Sequence, residues 1–202
     1  MTDVGVNAPW KLARWAQAAI AVAVVADVFR ATAFQAHAVD PGAGTLRTSG
    51  QASLVFFYAT AAAAALFLVW FTRVRRNAQV ISGNPALAAG AWPVVAWFVP
   101  LVNLVLPRRF VLDILRASTG GVKPGRDERL VNAWWGAWAG HALLVGIAQE
   151  AAPASLPLLV LGGALMATAG ILAIQMIQRL TQLQPASQPA PTTPSPLQPD
   201  PM

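Results

Sequence analysis

Asp27 and Arg30 stand three residues apart within an otherwise apolar stretch, a spacing that places both on one face of a helix. A carboxylate and a guanidinium so placed can form an intramembrane ion pair with a functional task, or can end a membrane span by reaching for the headgroups. Asn103 follows Pro100, and an interior proline removes a backbone donor and crowds the preceding turn. The Asn103 amide can therefore satisfy freed main-chain groups, or it can coordinate a solute as broken helices do in transporters. His141, whose only companion in the chain is His37, is either a proton relay or a packing residue hydrogen-bonded to a neighbour.

Other chemistry is excluded more firmly. The chain has no cysteine, which removes disulfides, thiolate metal sites and thiol nucleophiles. No His-x-x-x-His pair, carboxylate cluster, phosphate-binding loop or nucleophile with an adjacent base is legible. We therefore expect no enzyme, no cofactor and no metal.

These residues must be positioned by helices in lipid. Of 202 residues, 56% are hydrophobic and only 11% charged, too little polar surface to cover a soluble domain. Four spans are expected, at about residues 13–33, 53–71, 130–149 and 156–177, each near the length that crosses a hydrocarbon core of about 30 Å. The first could be mistaken for a signal peptide, since Ala36-His37-Ala38 imitates a cleavage site, but Asp27 and Arg30 lie where small neutral residues belong. Asp40 to Gly50 reads as a short polar loop, and Arg73, Arg75 and Arg76 as the end of the second span. Residues 92–106 are apolar but carry Pro93 and Pro100, with Pro107 next, and suggest a proline-broken segment that enters the membrane and returns. Residues 108–118, with Phe110, Val111, Ile114 and Leu115 at helical spacing, suggest an amphipathic helix lying in the interface. The division is a helical transmembrane domain over 1–180 and a Pro-rich, disordered cytoplasmic tail over 181–202.

Basic residues set the orientation. With four spans and a returning segment, only Arg30 and Arg47 of the fourteen Lys and Arg residues face outward; a fifth span would move the cations after Leu106 outside as well. We therefore expect a multi-pass protein of the cell membrane with both termini cytoplasmic. The net charge of +6 is assigned to anionic headgroups rather than nucleic acid because the cations flank apolar runs. Arg75, Arg76, Arg108, Arg109 and Arg116 are the candidate contacts for lipid or a protein partner. Gly136 and Gly140, and Gly162 and Gly163, offer small-residue surfaces for helix packing, with Gly170 adding to the last span; homodimerisation through them is left open. Trp134, Trp135 and Trp138 fit an aromatic belt better than a ligand cage. Heavy use of Ala, Gly, Pro and Arg, with only Lys11 and Lys123 as lysines, points to a GC-rich bacterial genome.

Three blocks, Phe71-Thr72-Arg73-Val74-Arg75-Arg76-Asn77-Ala78, Trp97-Phe98-Val99-Pro100-Leu101-Val102-Asn103-Leu104 with Pro107, and Asp113-Ile114-Leu115-Arg116-Ala117-Ser118, resemble the actinobacterial membrane family named domain of unknown function 4328. The resemblance covers roughly residues 53–179. It implies a small multi-span bacterial protein with no established activity, and carries no functional residue across. The expected role is a non-enzymatic scaffold or regulatory subunit, with a transporter or channel component as the alternative.

Overall fold

A computed structural model describes residues 7–88, 90–120, 125–151 and 155–186, and among these every regular element is helical. Helix α1 spans Trp10–Val39 and α2 spans Ala43–Ser82. Two single-turn helices follow a 3₁₀ turn at Pro85–Ala88: α3 at Trp92–Val95 and α4 at Pro100–Asn103. Helix α5 occupies Leu106–Ser118, α6 Gly125–Ala151 and α7 Leu156–Ala186.

The sequence explains where the long helices stop. Asp40 precedes Pro41, which disfavours helical geometry at that residue, and its backbone turns out of the helix at φ −130° and ψ 84°. Helix α2 restarts three residues later, so the polar loop expected over 40–50 shrinks to 40–42; the Thr45 hydroxyl accepts from the Gly42 N–H at 3.0 Å and holds the start of the helix. The expected stop at Arg73, Arg75 and Arg76 is likewise overrun, because long basic side chains are good helix formers. Helix α2 ends instead at Gly83, whose φ of 66° suits a residue without a Cβ.

Helices α1, α2 and α7 are long and apolar enough to cross a membrane. The expected fourth span, residues 130–149, lies within α6, which is helical throughout but is not among those three. The polar residues expected to open the tail, 181–186, continue α7, because Ile177, Leu180, Thr181 and Gln184 keep one buried face beyond Arg179. The remainder of the expected tail, 187–202, lies outside the described residues.

The proline-rich stretch is built differently from a broken span. Pro93, Pro100 and Pro107 each stand in the first turn of α3, α4 and α5, where no backbone donor is needed, so they start helical steps rather than interrupt one. Val99 is extended because it precedes Pro100. Trp97, between the two short helices, packs edge-on against Phe67 at 5.1 Å and Phe71 at 6.0 Å between ring centres. Helix α5 is amphipathic as expected, but Val111, Leu112, Ile114 and Leu115 are buried against the protein's own helices and are not free to enter a lipid interface.

Helix α1 packs on both α2 and α7, and α6 packs on α7. The buried core lies where the start of α1 and α6 meets the end of α2 and α7, with Trp70, Phe71, Val74, Ile114, Leu115, Ile177 and Leu180 at its centre. We call this the arginine end. Toward the opposite, hairpin end the large apolar residues instead face outward, among them Val25, Phe29, Phe57, Tyr58, Ile147 and Val160, a surface that water would not tolerate over such an area.

Candidate functional site

Three of the five candidate polar or break positions converge. Asp27 and Arg30 on α1 line a cavity of about 170 Å³ together with His141 on α6 and Gly162 and Gly163 on α7. Arg30 donates to Asp27 Oδ1 through Nη2 at 2.6 Å and Nε at 3.1 Å, and its guanidinium lies 4.8 Å from the centre of the Phe56 ring. Asp27 is only 2% exposed, so the pair closes within the bundle and is not a carboxylate reaching for headgroups. The charge-free run Trp15–Ala26 is only about 18 Å of helix, too short to cross hydrocarbon, so a span here must take in the ion pair. His141 Nδ1 lies 2.9 Å from the Gly162 carbonyl, a contact that bridges α6 and α7.

Asn103 belongs to a different cavity, about 270 Å³ in volume, bounded by α1, α2, α6, α7 and the α3–α4 segment. Its walls are apolar and aromatic, with Phe67, Trp97, Trp134 and Trp138 among them, and no charged side chain lines it. Thr60, Trp97 and Asn103 are among its lining residues, and Thr60 Oγ1, Trp97 Nε1 and Asn103 Oδ1 are buried without a hydrogen-bond partner. Asn103 Oδ1 therefore does not repair freed backbone. Pro100 contributes by opening the single turn of α4, of which Asn103 is the last residue. Trp134 is buried beside Trp97, and Trp138 joins it on the cavity wall; these two indoles do not form the aromatic belt that their positions suggested.

The arginine end divides its cations. Arg75, expected at lipid, is 8% exposed and turned inward: it donates to the Ala86 carbonyl at 2.9 Å and lies over the Phe110 ring at 5.3 Å. Arg116 pairs with Glu128 at 3.2 Å, and Arg108 donates to Asn132 Oδ1 at 2.8 Å. Arg76 and Arg109 are exposed, as is Arg73.

The glycine candidates separate in the same way. A Cβ on Gly140 or Gly162 would make ordinary contact with Leu165 or Leu144 across the α6–α7 interface, whereas one on Gly136 or Gly163 would meet nothing. The close helix approach is at Gly170, where a Cβ would fall 2.5 Å from Val24 Cγ2.

Sequence reasoning passed over a polar lock at the arginine end. Asn77 donates to Gln184 Oε1 at 2.7 Å, Gln184 donates to the Val74 carbonyl at 2.7 Å, and the Trp70 indole donates to Thr181 Oγ1 at 3.1 Å. These bonds tie α2 to α7 in surroundings where an unpaired group is costly. Their signal was the helical spacing of Thr181 and Gln184 after Ile177 and Leu180.

Helices throughout the described residues, three of them long and apolar enough to cross a membrane, mark a membrane protein. Within that class, the family model described as Domain of unknown function (DUF4328) matches residues 43–182, well over half of the chain, and the chain belongs to that family. No curated protein and no solved structure matches. The match takes in Thr60, Trp97 and Asn103 but begins after α1, which carries the Asp27–Arg30 pair.

Proposed function

We propose that the chain is a non-enzymatic scaffold or regulatory subunit of the cell membrane, working without a cofactor. It crosses the bilayer four times, and its arginine end and both termini face the cytoplasm. Helix α6 serves as the fourth span: Leu130 to Ile147 carries no formal charge, and its indoles, which lower its hydropathy, add no charge that would have to be taken into lipid. The α3–α4 segment serves as a shallow returning loop whose backbone is shielded by α2 and α6.

The observation that carries this reading is the division of charge at the arginine end. Asp127 is taken by Arg179 at 3.0 Å and Glu128 by Arg116 at 3.2 Å, while Arg73, Arg76 and Arg109 stand exposed. A rigid core with uncommitted cations suits anionic headgroups and, beyond them, an acidic face of a membrane or cytoplasmic protein; nucleic acid is not the expected partner. The test is native mass spectrometry from mild detergent. The chain is expected to retain phosphatidylglycerol over phosphatidylcholine, and the triple variant Arg73→Gln, Arg76→Gln, Arg109→Gln to lose most of that preference. An unchanged preference in the triple variant would remove the basis for the reading.

One observation favours a transporter or channel component: Asn103, which lines the aromatic cavity, keeps a buried side-chain oxygen without a hydrogen-bond partner. Against it, Trp70, Phe71 and Val74 fill the bundle on the arginine side of that cavity. Solute flux in proteoliposomes that disappears with Asn103→Leu would reverse this ranking.

A further inference from the structure

We propose that the charged cavity holds the head of a primary-amine zwitterionic lipid, of the phosphatidylethanolamine type, whose chain lies in the apolar groove beside it. Asp27, Arg30 and His141 stand on the cavity wall, and each is engaged through one edge only. Both Arg30 bonds end on Asp27 Oδ1, so Asp27 Oδ2 and Arg30 Nη1 have no hydrogen-bond partner among the described residues. A carbonyl oxygen can only accept, so His141 Nδ1 carries the proton toward Gly162 and the neutral ring offers Nε2 as an acceptor. None of these three atoms is closed to a molecule the size of water, unlike the unpaired atoms of Thr60, Trp97 and Asn103, and 25% of the Arg30 side chain is exposed.

That inventory selects a ligand. The wall already balances one carboxylate against one guanidinium, so it suits a head with no net charge. Asp27 Oδ2 and His141 Nε2 both require donors, and Arg30 Nη1 requires an acceptor. A primary ammonium beside a phosphate supplies three N–H donors and several acceptor oxygens in one compact group, and its bonds are charge-assisted. A choline head has the same charges but no N–H, and a glycerol head brings a negative charge with no cation of its own to set against Asp27. The space lies on the hairpin side of the middle of α1, at the level of one leaflet. Its 170 Å³, the volume of about six waters, admits a head and no chain.

A place for the chain adjoins it. Ala31, Leu159 and Gly163 line both the cavity and a groove of about 420 Å³ between α1 and α7, whose other walls include Val28, Leu156 and Val160, all exposed at the outer surface. A Cβ on Gly163 would meet nothing within 4 Å, so the seam between α1 and α7 is not packed shut at that point. A polar space and an apolar groove that share a wall match the two halves of one amphiphile.

The full chain, purified in dodecyl maltoside, is incubated with equal amounts of phosphatidylethanolamine and phosphatidylcholine of identical acyl chains, and the retained lipid is read by native mass spectrometry. Phosphatidylethanolamine is expected to be retained about tenfold over phosphatidylcholine, the usual effect of hydrogen bonds to charged groups. Equal retention of the two lipids by the unaltered chain would overturn the proposal whether or not any variant folds. His141→Phe removes one acceptor and should lower the preference several-fold; an unchanged preference in this variant would take the cavity out of the recognition. A large excess of glycerophosphoethanolamine, the same head without chains, should leave the lipid in place, and displacement would overturn the lipid as occupant. The site lies at the opposite end from the basic surface, so Arg73→Gln, Arg76→Gln and Arg109→Gln together should leave the preference for the amine intact. Its loss there would move amine recognition to the arginine end and overturn the site, so the cavity and the basic surface fail separately.

Discussion

Two cavities share the bundle and treat their polar groups in opposite ways. In the charged cavity, Asp27 and Arg30 neutralise one another and His141 is bonded to Gly162, so its polar groups are engaged within the protein. At the aromatic cavity, Thr60, Trp97 and Asn103 each keep a buried polar atom without a hydrogen-bond partner. Only two residues lie between the two linings along each helix that they share: between Val24 and Asp27 on α1, Trp138 and His141 on α6, Gly163 and Met166 on α7. Polar residues in a membrane bundle are thus not one category: paired ones hold helices together, whereas unpaired ones forgo that contribution.

The largest test of this contrast is Asp27→Ala, which strands the Arg30 guanidinium in the cavity wall. A loss of roughly 3 kcal/mol is expected, since removal of one member of a buried pair leaves an uncompensated charge; it would be read as a lower thermal midpoint in detergent. An unchanged midpoint would show that the pair contributes nothing to the fold and would break the comparison on its charged side. Gly170→Ala should cost about 2 kcal/mol, because the new methyl meets Val24 Cγ2 and a β-branched neighbour yields little. The same assay reads it, and a milder effect would mean that α1 and α7 separate easily at the aromatic cavity. The smallest change is expected from Asn103→Leu, neutral or stabilising by up to about 1 kcal/mol, because an apolar side chain replaces an acceptor that has no partner. Substantial destabilisation by Asn103→Leu would show that its oxygen is engaged after all and would erase the distinction.

How much of this was legible in the sequence follows from how local each cause is. The apolar runs of α1, α2 and α7 declare themselves by length, and the pairing of Asp27 with Arg30 is an i, i+3 relation within one helix. The helix boundaries were less legible, because weak formers such as Thr45 and charged ones such as Arg73 are carried along once a helix is packed. The proline stretch was legible as irregular but not in its local form: whether a proline breaks a helix or begins one depends on where the turn starts, and Pro93, Pro100 and Pro107 all fall at starts. That Asp27, Arg30 and His141 would share one space, and that Arg75 would turn inward to Ala86, are facts of tertiary packing with no local signature. The resemblance drawn from the Arg-Arg-Asn-Ala and Trp-Phe-Val-Pro blocks held as a family assignment over residues 43–182.

Helix α2 carries no charge from Thr48 to Thr72, about 37 Å of continuous rod beside a hydrocarbon layer of about 30 Å. No proline interrupts it, so the excess is absorbed by leaning or by a locally thicker bilayer. Because the Asn77–Gln184 bond couples that rod to α7, a thinner membrane would swing both together and reorient the guanidinium groups of Arg73 and Arg76 with them. Bilayer thickness is in this way converted into an angle.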